Sequence, residues 1–344
     1  MIFIDRAYQF LRDSAFLNHM TNKGFYYFER FRIYDQIYRK VIKHKIERSP
    51  DHPIELAFTL TSLCNSDCIM CPVRRFREIE KSDVKFMSME LYERIIADAG
   101  SLKINRIILS GGEPLLDPHL TERIEIARKY LPDAELSLFT NGTLLHKRNN
   151  ISNLLKGSLD SITVSFDGVT AAEYEAVRKQ LSFNQLIRNV KLLYQTKKEL
   201  NSKVLIRLSL LTLKANERSH GAFLKRMKGS ADVLDINKAH NFGGTISFEE
   251  KNIYNSFKRY PCCFLFHRIT VKPDGLVSMC SYDYEKKYIV GDLNLQSIKT
   301  IWNHDLYRQA RQLHLEENFE SIDICKNCTS EILWWKYNKM NKTT

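Results

Sequence analysis

No apolar run in this 344-residue sequence approaches the ~20 residues that a membrane span requires. The opening, Met1-Ile-Phe-Ile-Asp5-Arg6, meets an acid at once, and no h-region or small-residue cleavage site follows. Internal repeats, low-complexity tracts and a clear linker are missing as well. A transmembrane segment and a repeat array are therefore not expected, and the expected location is cytoplasmic. The long stretch between Cys71 and Cys262 has no cysteine at all. A disulfide scaffold, which belongs to short secreted chains, would rarely leave such a gap.

The eight cysteines fall into two groups: Cys64, Cys68 and Cys71, then Cys262, Cys263, Cys280, Cys325 and Cys328. Clustered thiols in a long reduced chain point to metal. An apolar share of 44% and an aromatic share of 11% are those of a folded protein, long enough for one core plus a smaller unit.

The net charge of +12 is enriched at the start, where residues 1–50 hold ten Lys/Arg against five Asp/Glu. Phe25–Ile46 reads as an amphipathic helix, with Tyr26, Phe28, Phe31 and Ile33 among its apolar positions and a dense basic patch at Arg39–Arg48. A membrane surface, an acidic partner or nucleic acid each fits such a face. So does a helix packed on the main domain with its basic side in water, the usual fate of a charge run.

Strand-like runs occupy Ile54–Thr61, Ile104–Ser110, Glu135–Thr140, Asp160–Phe166, Lys203–Thr212 and Ala231–Ile236. Helical patterns lie between them at Ser88–Ala99, His119–Tyr130, Phe183–Leu200 and Glu217–Met227. Six βα units in series predict a parallel sheet with helical crossovers, either doubly wound or a partial barrel. Chemistry then gathers at the carboxyl ends of the strands. The texture changes near Gly243-Gly244, which divides the chain into an extension (1–52), a core (53–245) and a cysteine-bearing region with its tail (246–344).

Strand one ends in Leu63-Cys64-Asn-Ser-Asp-Cys68-Ile-Met70-Cys71-Pro72. Three thiolates at this spacing can wrap one face of an iron–sulfur cube and leave one iron open. Zinc is the alternative, although it usually takes paired C-x2-C units and four protein ligands. Strand two ends in Ser110-Gly111-Gly112-Glu113-Pro114, where two glycines let a ligand approach the backbone and Glu113 offers an acceptor for a cationic group. Strand three ends in Thr140-Asn141-Gly142 and strand four in Ser165-Phe-Asp167-Gly168, with Arg178 on the helix after it. Taken singly, the Asn-Gly and Asp-Gly pairs are ordinary turns.

In this order the segments resemble the radical S-adenosylmethionine (SAM) superfamily over residues ~54–240. The resemblance implies an α/β fold, a partial (β/α)6 TIM-like barrel with a short helical N-terminal extension and a small C-terminal auxiliary cluster domain. Cys64, Cys68 and Cys71 would hold a [4Fe–4S] cluster whose open iron takes the amino and carboxylate groups of SAM. By the same likeness Gly111, Gly112 and Glu113 take the amino group, Thr140 and Asn141 the ribose, Ser165 and Arg178 the carboxylate, and Met70 lies beside the adenine. The glycine signature often seen on strand five is absent from Leu208–Leu213, which leaves the adenine wall undefined. The chemistry implied is reductive cleavage of SAM to methionine and a 5′-deoxyadenosyl radical, which removes hydrogen from an unactivated C–H bond.

Asp274-Gly275 predicts a hairpin turn that brings the cysteines on its two strands together, followed by Cys325-Lys-Asn-Cys328. Residues ~258–330 resemble the SPASM/Twitch auxiliary domain in its shorter, one-cluster form. Cys262, Cys280, Cys325 and Cys328 would ligate a second [4Fe–4S] cluster, with the spacing to Gly275 favouring Cys262 over Cys263. A zinc site built from the same four cysteines is the alternative. A fully ligated cluster suits electron transfer, so the expected reaction is oxidation of a C–H next to a hydroxyl or amine on a carbohydrate or aminocyclitol. The reductant expected is flavodoxin- or ferredoxin-like. His240 is the candidate base, with Lys238 and Arg207 behind it. Peptide maturation is the main alternative, although residues 1–52 are short for a leader-binding module. RNA modification would rest on the basic N-terminus alone, and a non-catalytic iron–sulfur protein would have no use for the Gly-Gly-Glu and Ser165/Arg178 set.

Overall fold

A computed structural model describes residues 50–72, 86–214, 216–239, 241–244, 259 and 261–329. The basic segment 1–49, with its expected helix at Phe25–Ile46, lies outside the described residues, and so does His240.

Six parallel strands form in chain order: β1 (Glu55–Thr59), β2 (Arg106–Ser110), β3 (Glu135–Thr140), β4 (Ser161–Ser165), β5 (Leu205–Thr212) and β6 (Val233–Lys238). Helices α1 (Met89–Ala99), α2 (Leu120–Tyr130), α3 (Asn150–Lys156), α4 (Ala171–Val177), α5 (Phe183–Glu199) and α6 (His220–Met227) fall between them. Their starts follow capping chemistry: the side chains of Ser88, Thr170 and Ser182 accept the first orphan N–H groups of α1, α4 and α5. Beyond β6 come α7 (Phe264–His267), β7 (Arg268–Val271), β8 (Leu276–Ser278), β9 (Ile289–Asp292), α8 (Ile298–Trp302), α9 (Asp305–Leu315) and α10 (Asp323–Lys326).

The strands make one nine-stranded sheet in the order β6-β5-β4-β3-β2-β1-β7-β8-β9. β7 returns to pair in parallel with β1, Leu56 opposite Ile269, and β8 and β9 add antiparallel strands outside it. The hairpin between β7 and β8 turns at Gly275, whose φ of 87° is open to glycine. The second cysteine region thus continues the sheet of the first.

The two faces of the sheet differ. Leu56, Phe58, Ile107, Leu109, Ile206 and Leu208 are fully buried and share one core with helix residues such as Ile96, Ile124 and Leu186. The alternate positions are mostly polar: Glu55, Arg106, Ser137, Ser161, Arg207 and Asp235 lie on the other face, since successive side chains of a strand point opposite ways. A doubly wound sheet buries both faces under helices and reads as continuous apolar runs. Here one face is apolar and the other mostly polar, the arrangement of a partial barrel.

Candidate active site

The loop after β1 carries Cys64, Cys68 and Cys71 and runs against the Gly-Gly-Glu turn after β2. Glu113 donates its backbone N–H to Leu63 O at 2.8 Å. Both glycines have positive φ, and a Cβ at Gly112 would stand 2.0 Å from Leu63 O, one at Gly111 2.3 Å from Thr59 Cγ2. What approaches the glycines so closely is the protein's own chain, so they lock the cysteine loop to the strand ends.

The Glu113 side chain turns inward. Its carboxylate is 1% exposed and accepts the Thr140 hydroxyl at 2.6 Å, the Leu115 N–H at 3.1 Å and the Asn141 N–H at 2.8 Å. Burial pushes its pKa up, while these donors oppose the rise. Asn141 in turn donates to Asn65 Oδ1 at 2.8 Å, and Asn65 donates to Thr143 at 3.0 Å. The side chains of Glu113, Thr140 and Asn141 therefore stitch the ends of β2 and β3 to the cysteine loop.

Arg178 caps α4 and gives its Nε–H to Asp167 at 2.7 Å, while Nη1 reaches Cys68 Sγ at 3.6 Å. Burial pulls its pKa down, but Asp167 and Cys68 more than offset this and raise it, so the guanidinium stays charged beside the sulfur. Ser66 Oγ lies 3.0 Å from the same sulfur. Tyr174 is fully buried nearby, its pKa pushed up by burial and subject to Arg178, Asp167 and Cys68, and its hydroxyl has no hydrogen-bond partner among the described residues. Met70 is buried with Cys68, Val177, Leu213 and Ala239, which brings the ends of β5 and β6 beside the cysteine loop. Ser165 ends β4 opposite Ser209.

In the second region Cys262, Cys280, Cys325 and Cys328 line one pocket with Arg259, Tyr282 and His314. Cys263 does not line it. Its thiol is 1% exposed, and burial first, then a hydrogen bond with Cys262, pushes its pKa well up. The turns Cys68–Cys71 and Cys325–Cys328 close alike, with the later N–H bound to the earlier carbonyl at 3.1 Å in each. Tyr282 N–H donates to Cys280 Sγ at 3.4 Å. None of the eight cysteines is in a disulfide.

A family model described as the radical SAM superfamily matches residues 58–208, and one described as an iron–sulfur cluster-binding domain, SPASM, matches residues 260–329. Residues 58–208 are a radical SAM superfamily domain.

With these two domains come SAM and iron–sulfur clusters as cofactors. Among curated relatives, the probable GTP 3′,8-cyclase of Pyrococcus horikoshii is 31% identical over 136 residues, which are 40% of this chain and 41% of that protein. The match spans less than half the length of such relatives. Among solved structures, BtrN in complex with AdoMet and 2-DOIA has a TM-score of 0.54 at 21% identity, over 80% of this chain and 92% of BtrN. Streptococcus suis SuiB bound to precursor peptide SuiA has a TM-score of 0.64 at 14% identity, over 80% and 71%. These likenesses establish the partial-barrel fold with its C-terminal addition.

The donor sets fit clusters. Four thiols surround a pocket, and among the described residues no three Cys, His, Asp or Glu side chains converge on a single ion-sized point. A multi-atom cube is held from its corners, whereas a lone zinc draws its four ligands onto one centre. Burial pushes the Cys64 and Cys280 thiols up to about 12, protons that iron would displace on binding.

Of the expected proton-handling group, Arg207 is paired with Asp235 at 2.6 Å on the polar face. The Lys238 side chain lies outside the described residues, like His240, although Ala239 between them packs against Met70. Three residues went unnoticed in the sequence. Tyr284, partly buried with its pKa pushed up by loss of hydration, feels Cys71 of the first set and Cys280 of the second. Lys272, 6% exposed, stands over the Tyr284 ring at 5.1 Å. His314 follows Tyr307 and Ala310 on the buried stripe of α9. A histidine on an apolar helical stripe was the available signal for it.

Proposed function

We propose that the chain is an enzyme that reductively cleaves SAM and oxidises a C–H next to a hydroxyl or amine on a carbohydrate or aminocyclitol. The carrying observation is Tyr284, a partly buried side chain of the auxiliary region that feels both Cys71 and Cys280. Two cysteine sets close enough to act on one side chain suit a substrate that gives a hydrogen atom to one side and an electron to the other. The resemblance of the fold to BtrN, whose complex holds AdoMet and 2-DOIA, supports the same reading.

Bound at the two cysteine sets, SAM and the clusters supply a hydrogen-abstracting radical and a one-electron acceptor. The chain's part is to hold, orient and exclude. Cys64, Cys68 and Cys71 ligate one cluster; Cys262, Cys280, Cys325 and Cys328 ligate the other. Gly111 and Gly112 let the cysteine loop close on the strand ends, and Glu113 fixes Thr140 and Asn141 where the ribose is expected. Arg178 brings positive charge to the carboxylate side of the site with Ser165, and Met70 shields the adenine side from water. Arg207, held by Asp235, and Ser209, which accepts from Asn237 at 2.9 Å, give the polar face contacts for substrate hydroxyls. His240, with Lys238, takes the proton released when the carbonyl or imine forms. His240→Ala tests that role: turnover should fall at least tenfold while SAM cleavage persists, and full turnover removes the assignment.

Iron and sulfide counts test the two-cluster reading. With Cys64, Cys68 and Cys71 replaced by Ala, about four iron atoms should remain, and none would sink it. A second reading, peptide maturation, draws on the fold likeness to SuiB bound to its precursor peptide. A peptide would lie against the same polar face.

A further inference from the structure

We infer that His314 donates a hydrogen bond from Nε2–H to a sulfur of the auxiliary cluster and thereby sets that cluster's reduction potential. The inference rests on the reading of Cys262, Cys280, Cys325 and Cys328 as cluster ligands.

His314 is 1% exposed and lines the pocket that those four cysteines surround. Its Nδ1 accepts the backbone N–H of Cys262 at 3.1 Å. An acceptor at Nδ1 fixes the tautomer of a neutral ring, so the proton sits on Nε2 at the other side of the imidazole. That Nε2 is buried without any partner among the described residues. A buried donor with no acceptor is costly, and a native fold keeps one where a ligand completes it. The ring meets Phe319 edge-on at 5.0 Å, but an aromatic face is a second-order acceptor. Thiolates and sulfides of a cluster at the pocket centre are strong acceptors.

One hydrogen bond to sulfur has a definite sign. Reduction adds negative charge to the cluster, a donor stabilises that charge, and the potential rises. Arg259 works in the same direction from the rim, where it donates to Cys325 O at 2.6 Å and Lys326 O at 2.9 Å. His314 differs in being enclosed and in touching ligand Cys262 with its opposite nitrogen. It is a positioning and tuning residue, because it acts through the cluster and not on substrate.

Two substitutions separate tuning from mere support. His314→Asn keeps an acceptor for the Cys262 N–H and removes the inward donor; His314→Gln keeps a donor near the Nε2 position and loses the acceptor. The midpoint potential of the auxiliary cluster is read by EPR-monitored titration of the reconstituted full chain. The Asn variant should be harder to reduce by about tenfold in the equilibrium, which for one electron is about 59 mV, with the Gln variant near the unaltered protein. An unshifted Asn variant, or a shift in Gln alone, overturns the inference. The unaltered protein gives an independent readout if both variants lose the cluster. With histidine labelled by 15N, the reduced auxiliary cluster should show a hyperfine-coupled exchangeable proton and ring nitrogen, and their absence overturns the inference as well. Loss of all iron from the chain with Cys64, Cys68 and Cys71 replaced by Ala instead overturns the cluster reading, which keeps the two failures distinct.

Discussion

The Thr140 hydroxyl at the end of β3 donates to Glu113 Oε1 at 2.6 Å, across the seam between two successive βα units. Two backbone donors reach the same carboxylate, Leu115 N–H on Oε1 and Asn141 N–H on Oε2. Neither oxygen leaves room for an amide nitrogen. Glu113→Gln should therefore lose about 1–3 kcal/mol of stability by opposing one buried donor with another. Thermal melts of the apo protein check this, and an unchanged midpoint would show that Glu113 does not tie the strands together.

Gly112→Ala should be worse. The new Cβ would stand 2.0 Å from Leu63 O at a φ of 51°, and the obstacle is backbone, which no side-chain rotation relieves. The loop bearing Cys64, Cys68 and Cys71 has to move away. Loss of iron from that set, with the auxiliary iron retained, is the expected result of metal analysis.

Arg178→Ala leaves Asp167 buried without its cation, a change that costs about 3–5 kcal/mol in comparable pairs. Arg178→Lys keeps the charge but gives up the planar reach to both Asp167 and Cys68. The Lys variant should fold and bind SAM about tenfold more weakly, the worth of one charge-assisted hydrogen bond. Equilibrium dialysis with reconstituted protein measures it.

Cys262 and Cys263 separate cleanly. Cys262→Ser should remove auxiliary iron, because Cys262 lines the four-cysteine pocket. Cys263→Ala should keep it and lose only packing, since that thiol is 1% exposed and does not line the pocket. The opposite pattern of iron contents would reassign the ligand.

Much of this architecture was legible in the sequence because periodicity reports burial directly. All six parallel strands lie where alternating runs placed them, and Phe183–Glu199 was visible as a helix because it is long and amphipathic. Asn150–Lys156 was missed, since seven residues barely complete two turns, and the helix expected around Arg178 is the equally short Ala171–Val177, which Arg178 caps. The parallel pairing of β7 with β1 was also hidden, because it joins residues more than 200 positions apart and leaves no local trace. At the site, the cysteines and Gly-Gly-Glu stood out as motifs, and Arg178 through the resemblance to the family. The inward turn of the Glu113 carboxylate, the buried His314 and the shared reach of Tyr284 arise from tertiary packing, which no motif encodes.

The most direct test of the proposed reaction is formation of 5′-deoxyadenosine by the anaerobically reconstituted protein as fractionated cell extract is added. Stimulation by a small, protease-resistant fraction is the expected result and carries the oxidation of a sugar or aminocyclitol. Stimulation that trypsin destroys would contradict it and place the chain among peptide-modifying enzymes.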